Sequence, residues 1–212
     1  MTSAATARNL IGPLLRMGFQ VHLTGAHLMP RRGPLLVVST HSGLLDASLI
    51  ATNLPRPVEV LVHPGTVSGL TERVPGRIVM DPDDPDAALR VAVARVRGGR
   101  AVGAWSGDGR EIEAGYVQAR TQCPVVPVAL FGSHGRRPTD PPPWRGVIDI
   151  VIGAPFTPRA PADPATRAGV LQVVEEIRQR AADHVVAARR RTGWADGVAL
   201  VDVAPTPDND LP

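Results

Sequence analysis

A chain of 212 residues, 43% of them apolar and 20% charged, is long enough for one well-buried domain with at most a small appendage. It holds no run near the roughly 18 apolar residues of a spanning helix, and its N-terminus lacks the basic, apolar and small-residue order of a signal peptide, so a cytoplasmic protein is expected. All 23 basic residues are arginine, but the net charge is only +3 and aromatics are 3%, so a nucleic-acid surface of clustered cations and stacking rings is not expected. The single cysteine, Cys123, excludes internal disulfides and cysteine-based zinc sites, and in "TQCPVVPV" it reads as a packed thiol.

In chain order, residues 4–17 place Leu10, Ile11, Leu14 and Leu15 at helical spacing, an amphipathic helix that Pro13 can kink. "FQVHLTG" and "PLLVVST" read as strands, "DASLIATNL" as a helix stopped by Pro55, and "VEVLVH" as a buried strand. Residues 64–76 are turn-rich, and "RIVM" is a further strand. Asp84 caps the next helix, with Pro85 in its first turn, a Leu89, Val93 and Val96 stripe, and Gly98 and Gly99 at its end. "AVGAW" is a strand and "EAGYVQART" a helix, and "PVVPVALFG" is a strand whose prolines suggest a sheet edge or a local bend.

"HGRRPTDPPPWRG" is an exposed loop and "VIDIVIG" the last strand. A final helix is expected over 163–192, with Val170, Val174, Ile177, Ala181 and Val185 on one face and Arg189 to Arg191 at its C-terminal end. Residues 195–212 read as a flexible tail. Strands alternating with helices predict a single α/β domain over 1–194, its mostly parallel or mixed central sheet flanked by helices.

Within "STHSGLLDASL" a histidine and an aspartate stand five positions apart. On one continuous helix they would point about 140° apart and not meet. With a strand ending near Thr40 and a helix starting near Leu44, the turn between them can bring His41 and Asp46 together. A histidine there lies at the carboxyl end of the sheet, where ligands of α/β folds bind, and an aspartate would orient its ring and support the imidazolium. Ser42 is adjacent but lacks the glycine-flanked elbow of a nucleophilic serine. The residues alone leave two readings: a general base acting on an acceptor hydroxyl, or a satisfied structural histidine. The six histidines are dispersed, so no metal site is expected, and His63, in "LVHPG" after a strand, either reaches the cleft or serves structure.

The order of segments adds to this. "FQVHLTGAHLMPRRGPLLVVSTHSGLLDASLIA" resembles the start of the glycerolipid acyltransferase family, which includes the lysophosphatidate acyltransferases, with its strand, G-x-x-x-x-P turn and H-x-x-x-x-D motif. "PGRIVMDPDDPDAALRVAVARVRGGRAVGAW", "EAGYVQARTQCPVVPVALFGS" and "VIDIVIGAPFTP" are similar to its later blocks, in order, over about residues 18–160. The resemblance implies transfer of a fatty acyl group from a thioester, on coenzyme A or acyl carrier protein, to a hydroxyl. His41 would be the base and Asp46 its orienter, with no covalent acyl-enzyme, no metal and no bound cofactor.

Two departures bear on the acceptor. The family's second block commonly ends in an arginine, where this chain has Met80, Asp81 and Pro82, with Arg77 the nearest substitute. Its third block is usually F-P-E-G-T-R, where this chain reads "WSGDGR". Aligned without a gap, Arg110 keeps the arginine and Gly107 replaces the glutamate; slipped by one, Asp108 and Gly109 stand for Glu-Gly and the arginine is lost. The expected substrate-binding set is Ser42, Arg77, Trp105, Asp108, Gly109 and Arg110, with the loop after Trp105 walling the acceptor pocket. Arginine forks match phosphate oxygens, so losing one weakens selection for a phosphorylated acceptor.

The first reading is therefore an acyltransferase acting on a specialised metabolite with a hydroxyl or amine. The alternatives are a lysophospholipid acyltransferase peripheral to the inner face of the membrane, a non-catalytic acyl-chain or carrier-protein binding module, and a thioesterase.

Overall fold

The most continuously apolar runs of the sequence form the middle of the sheet. The structure, a computed structural model, describes residues 12–40, 43, 45–64, 76–107, 110–137 and 140–194. His41, Ser42, Asp108, Gly109, residues 4–11 of the expected first helix and the expected tail lie outside the described residues. Residues 12–18 are helical. Seven strands follow: β1 (Gln20–Thr24), β2 (Leu35–Thr40), β3 (Val58–Val62), β4 (Arg77–Val79), β5 (Ala101–Ser106), β6 (Val125–Phe131) and β7 (Val147–Ile152). The helices are α1 (Asp46–Asn53), α2 (Pro85–Arg97), α3 (Glu111–Thr121) and α4 (Arg167–Thr192).

The strands form one sheet in the order β1-β7-β6-β2-β5-β3-β4. Only the β6–β7 pairing is antiparallel, so β1 and β7 run against the other five and the sheet is mixed. β2 is the central strand, and β2, β5 and β6 are buried on both faces, which is why they read as apolar runs and not as alternations. Leu35 and Val37 of β2 face a core shared with Ala47, Leu49, Ile50 and Leu54 from α1. Leu36 and Val38 face the other core, where α2, α3 and α4 pack. Gly115 lets α3 and α4 touch: a Cβ there would lie 2.3 Å from Val174 Cγ2.

β6 is interior, not an edge strand, and its proline is accommodated locally. The Pro127 carbonyl accepts from Gly153 N at 2.8 Å, just past the end of β7. Its missing N–H points the same way, toward Gly153, so only the last bond at the end of the β6–β7 ladder is forgone. α4 starts at Arg167, four residues later than the expected 163. Asp163 Oδ1 accepts from Ala165 N at 2.8 Å in a turn, and the Thr166 hydroxyl then caps the helix at Gly169 N, 3.2 Å. Near the middle of α4, His184 is part-buried and its Nε2–H donates to the Val151 carbonyl at 2.9 Å. No helix among the described residues is long and apolar enough to cross a membrane.

Candidate functional site

The five strands that run together end at one edge of the sheet, at Phe131, Thr40, Ser106, Val62 and Val79. α1 follows from β2, α2 from β4 and α3 from β5 at that edge, and the N-termini of α1 and α3 face it beside the central strands. Their exposed N–H groups and dipoles favour negative charge.

At the first of these turns Thr40 closes β2, its hydroxyl accepting from Leu130 N at 3.3 Å. Asp46, the first residue of α1, is fully buried. Its Oδ2 accepts from Gly43 N at 2.8 Å, and its own N–H donates to the Gly43 carbonyl at 3.2 Å. The carboxylate therefore ties the turn to the helix it begins. Gly43 is needed there because a Cβ would lie 2.5 Å from the Ser133 carbonyl oxygen, at the end of β6. The turn is thus pressed between its own helix and the neighbouring strand end. A buried carboxylate fixed in this way can orient an imidazole without moving as charge develops.

The second turn carries the loop expected to wall the acceptor pocket. Trp105 is 2% exposed, and its indole N–H donates to the Leu61 carbonyl at 2.8 Å. It lies beneath the edge as core, not in an open wall. Gly107 N donates to Glu111 Oε1 at 2.6 Å, so a carboxylate of this chain already sits on the first amide of the "GDGR" turn. Arg110 occupies the N-cap position of α3 and is half-buried, and its carbonyl accepts from Glu113 N at 3.1 Å. Arg77 enters β4 opposite Val60, two residues short of the edge, so its backbone starts about 7 Å below it. Asp46 and Arg110 are thus at the edge, Trp105 is under it, and Arg77 starts from below.

Glu113 is a site residue that the sequence reading did not single out. Its Oε1 is 2.6 Å from Nε2 of His63, the residue after β3. Because a carboxylate only accepts, Nε2–H of His63 donates. The His63 side chain keeps 26% of its surface exposed, against 7% for that of Glu113. A clue was present: Glu113 falls four residues before the buried Val117, so an acid occupies the core stripe of α3. Its partner, 50 residues away, has no local signature.

Three other described histidines have partners away from this pair, His184 with the Val151 carbonyl among them. His22 lies 3.3 Å from Asp149, and His134 Nδ1–H donates to the Gly135 carbonyl at 2.8 Å. Among the described residues no group of three or more His, Cys, Asp or Glu could hold a metal ion. Cys123 is buried, and burial pushes its thiol pKa up, which suits a packed thiol and not a nucleophile.

No protein-family model and no curated protein matches the sequence. Among solved structures, the 1-acyl-sn-glycerophosphate (LPA) acyltransferase PlsC from Thermotoga maritima is similar, with a TM-score of 0.58 and 17% identity over 86% of this chain and 82% of that one. The chain has the α/β fold of that acyltransferase: a single mixed sheet of seven strands with helices on both faces.

Proposed function

We propose that this chain is an acyltransferase that moves an acyl group from coenzyme A or acyl carrier protein to an acceptor hydroxyl or amine. The observation that carries the reading is the buried Asp46 carboxylate, anchored to the turn that follows the central strand. It stands five residues after position 41, at the sheet edge where α/β folds bind ligands. The likeness in fold to an LPA acyltransferase supports acyl transfer as the reaction. His41 is the general base and Asp46 its orienter. As the acceptor oxygen or nitrogen attacks the thioester carbonyl, the imidazole takes its proton. The tetrahedral adduct then collapses, the C–S bond breaks, and the thiolate leaves as a thiol with that proton. Neither a bound metal nor a further cofactor takes part.

Ser42, Trp105, Asp108, Gly109, Arg110 and Arg77 remain the proposed surroundings of the substrates, with Trp105 as floor. The acceptor proposed first is a specialised metabolite, because the Glu111 carboxylate on Gly107 N occupies an amide that a phosphate would want. The second reading, a lysophospholipid acceptor at the inner membrane face, is favoured by what the fold neighbour acts on.

Intact-mass detection of products from acyl-CoA or acyl carrier protein, over a panel of alcohols, amines and lysophospholipids, tests the proposal. An acylated acceptor is expected. Free fatty acid alone would make the protein a thioesterase, and thioester binding without turnover would make it a binding module.

A further inference from the structure

Among the described residues, the three most exposed large apolar side chains are Trp144 at 75%, Met17 at 74% and Leu14 at 61%. The fold brings them to the edge that carries the site. β7 runs against β6, so Val147 begins β7 where β6 ends, and Gln20 of β1 pairs with Val147. The helical residues 12–18 therefore lead into β1 at the same edge. β6 alone separates β7 from β2, which puts the start of β7 about 10 Å from the end of β2. The loop from β6 to β7 begins against the Asp46 turn: a Cβ on Gly43 would lie 2.5 Å from the Ser133 carbonyl oxygen and 3.0 Å from His134 Cβ.

Trp144 is exposed but fixed. Its ring lies on Gly18, where a Cβ would come within 3.2 Å of it, and tilts against Phe19 with centroids 6.5 Å apart. The next residue, Arg145, takes a left-handed φ of 61° and donates its N–H to the Gly18 carbonyl at 2.8 Å. Pro141, Pro142 and Pro143 restrict the chain before it. An indole ordered in advance loses little freedom on binding, which favours a partner with a fitted surface.

The surrounding charge narrows that partner. Residues 12–18 and 132–147 hold four of the 23 arginines, Arg16, Arg136, Arg137 and Arg145, and one of the 20 acidic residues, Asp140. These two segments thus carry the whole net charge of +3, and the rest of the chain is balanced. All four arginines are exposed. A second copy of this chain would set like charges against each other. An anionic lipid surface also takes arginines and an indole, but it adapts to its guest and has no need of a fixed one. A nucleotide would use the ring and the cations and leave Leu14 and Met17 bare. A carboxylate-rich protein uses all of them, because guanidinium forks match carboxylates and Trp, Met and Arg suit the centre of a protein interface. Building on the acyltransferase reading, we propose that this patch docks an acidic carrier protein, whose flexible arm brings the acyl thioester along the edge to the site. The donor is then held on a protein and not on coenzyme A.

The test uses the full chain, a fatty-acid acyl carrier protein in unloaded and dodecanoyl forms, and dodecanoyl-CoA. Wild type is expected to show the lower KM for the acylated carrier protein, and that KM should climb with salt. Trp144→Ala should raise it roughly tenfold or more, as loss of an interface anchor does, and leave turnover of dodecanoyl-CoA unchanged. Arg136→Glu should act in the same direction, and as an exposed charge reversal it keeps the test valid if Trp144→Ala folds poorly.

A carrier-protein KM that neither variant moves would overturn the proposal, as would equal losses with both donors. If wild type acylates nothing, the acyltransferase reading fails, and calorimetric binding of the unloaded carrier protein judges the surface separately. Binding that Trp144→Ala weakens supports the surface, and equal binding or none overturns it. Phosphatidylglycerol vesicles that bind wild type and not Trp144→Ala, with no carrier-protein binding, would overturn it in favour of a membrane.

Discussion

Two strand-to-helix turns meet at the same sheet edge and solve one problem in different ways. Between β2 and α1, Asp46 accepts a backbone N–H from three residues earlier, and the turn is closed against Ser133 with no solvent at the carboxylate. Between β5 and α3, Glu111 accepts from Gly107, and two residues on Glu113 reaches out to a histidine from another strand. Both place carboxylates where the N-terminal helix dipole favours them. The first turn commits its carboxylate to a buried backbone contact, which holds it in place. The second divides its carboxylates between a backbone amide and a histidine whose side chain keeps 26% of its surface exposed.

The strongest way to break this contrast is at the first turn. His41→Ala is expected to remove roughly 10² to 10⁴ of the acyl-transfer rate, the usual worth of a positioned base. Asp46→Asn should also lose much of the rate while circular dichroism and melting stay near wild type, since the amide oxygen can still accept from Gly43 N. Wild-type turnover by either variant would remove the residue from the mechanism.

A smaller effect sharpens the second turn. Glu111→Ala uncovers the Gly107 amide and removes a negative charge from the first turn of α3. Use of a phosphorylated acceptor should then improve by roughly tenfold, the value of one charge-assisted contact. Arg110→Ala should be nearly silent on unphosphorylated acceptors. A large rise in KM for a phosphorylated acceptor in Arg110→Ala would return the protein to the lysophospholipid reading. Smaller again is the packing beneath this turn. Gly115→Ala should cost about 1–3 kcal/mol by thermal or denaturant unfolding, because its new methyl meets Val174. Unchanged stability would mean that α3 and α4 are not held so closely.

The sequence carried the strands and helices well where periodicity or capping chemistry is local. Asp84 caps α2 at Ala87 N as its position suggested, and every expected strand has an observed counterpart. Whether the sheet was parallel or mixed depended on β7 turning back against β6, which no residue of "VIDIVIG" announces. Pro127 pointed to an edge because the rule concerns neighbours, and only the tertiary register shows that β7 stops beside it. Asp46 was legible because its partner Gly43 lies three residues away, whereas the partnership of Glu113 with His63 joins residues 50 positions apart in the chain.

His184 gives the fold a response to acid. Burial lowers its pKa below the ordinary 6.5, the Val151 carbonyl opposes that shift, and the charge on Arg191 adds to it. The unfolded chain therefore binds a proton at this residue at a higher pH than the folded chain does. The stability that the neutral ring contributes is complete above pH 6.5 and falls as the pH drops through the lowered folded value. Melting temperature should decline on acidification from pH 7.5 to 5.5, and less steeply in His184→Gln, whose amide can keep the bond to Val151 without taking a proton. Equal slopes would show that other groups set the acid limit. With this ring on the helix that packs against β6 and bonds to β7, mild acid would loosen α4 from the sheet.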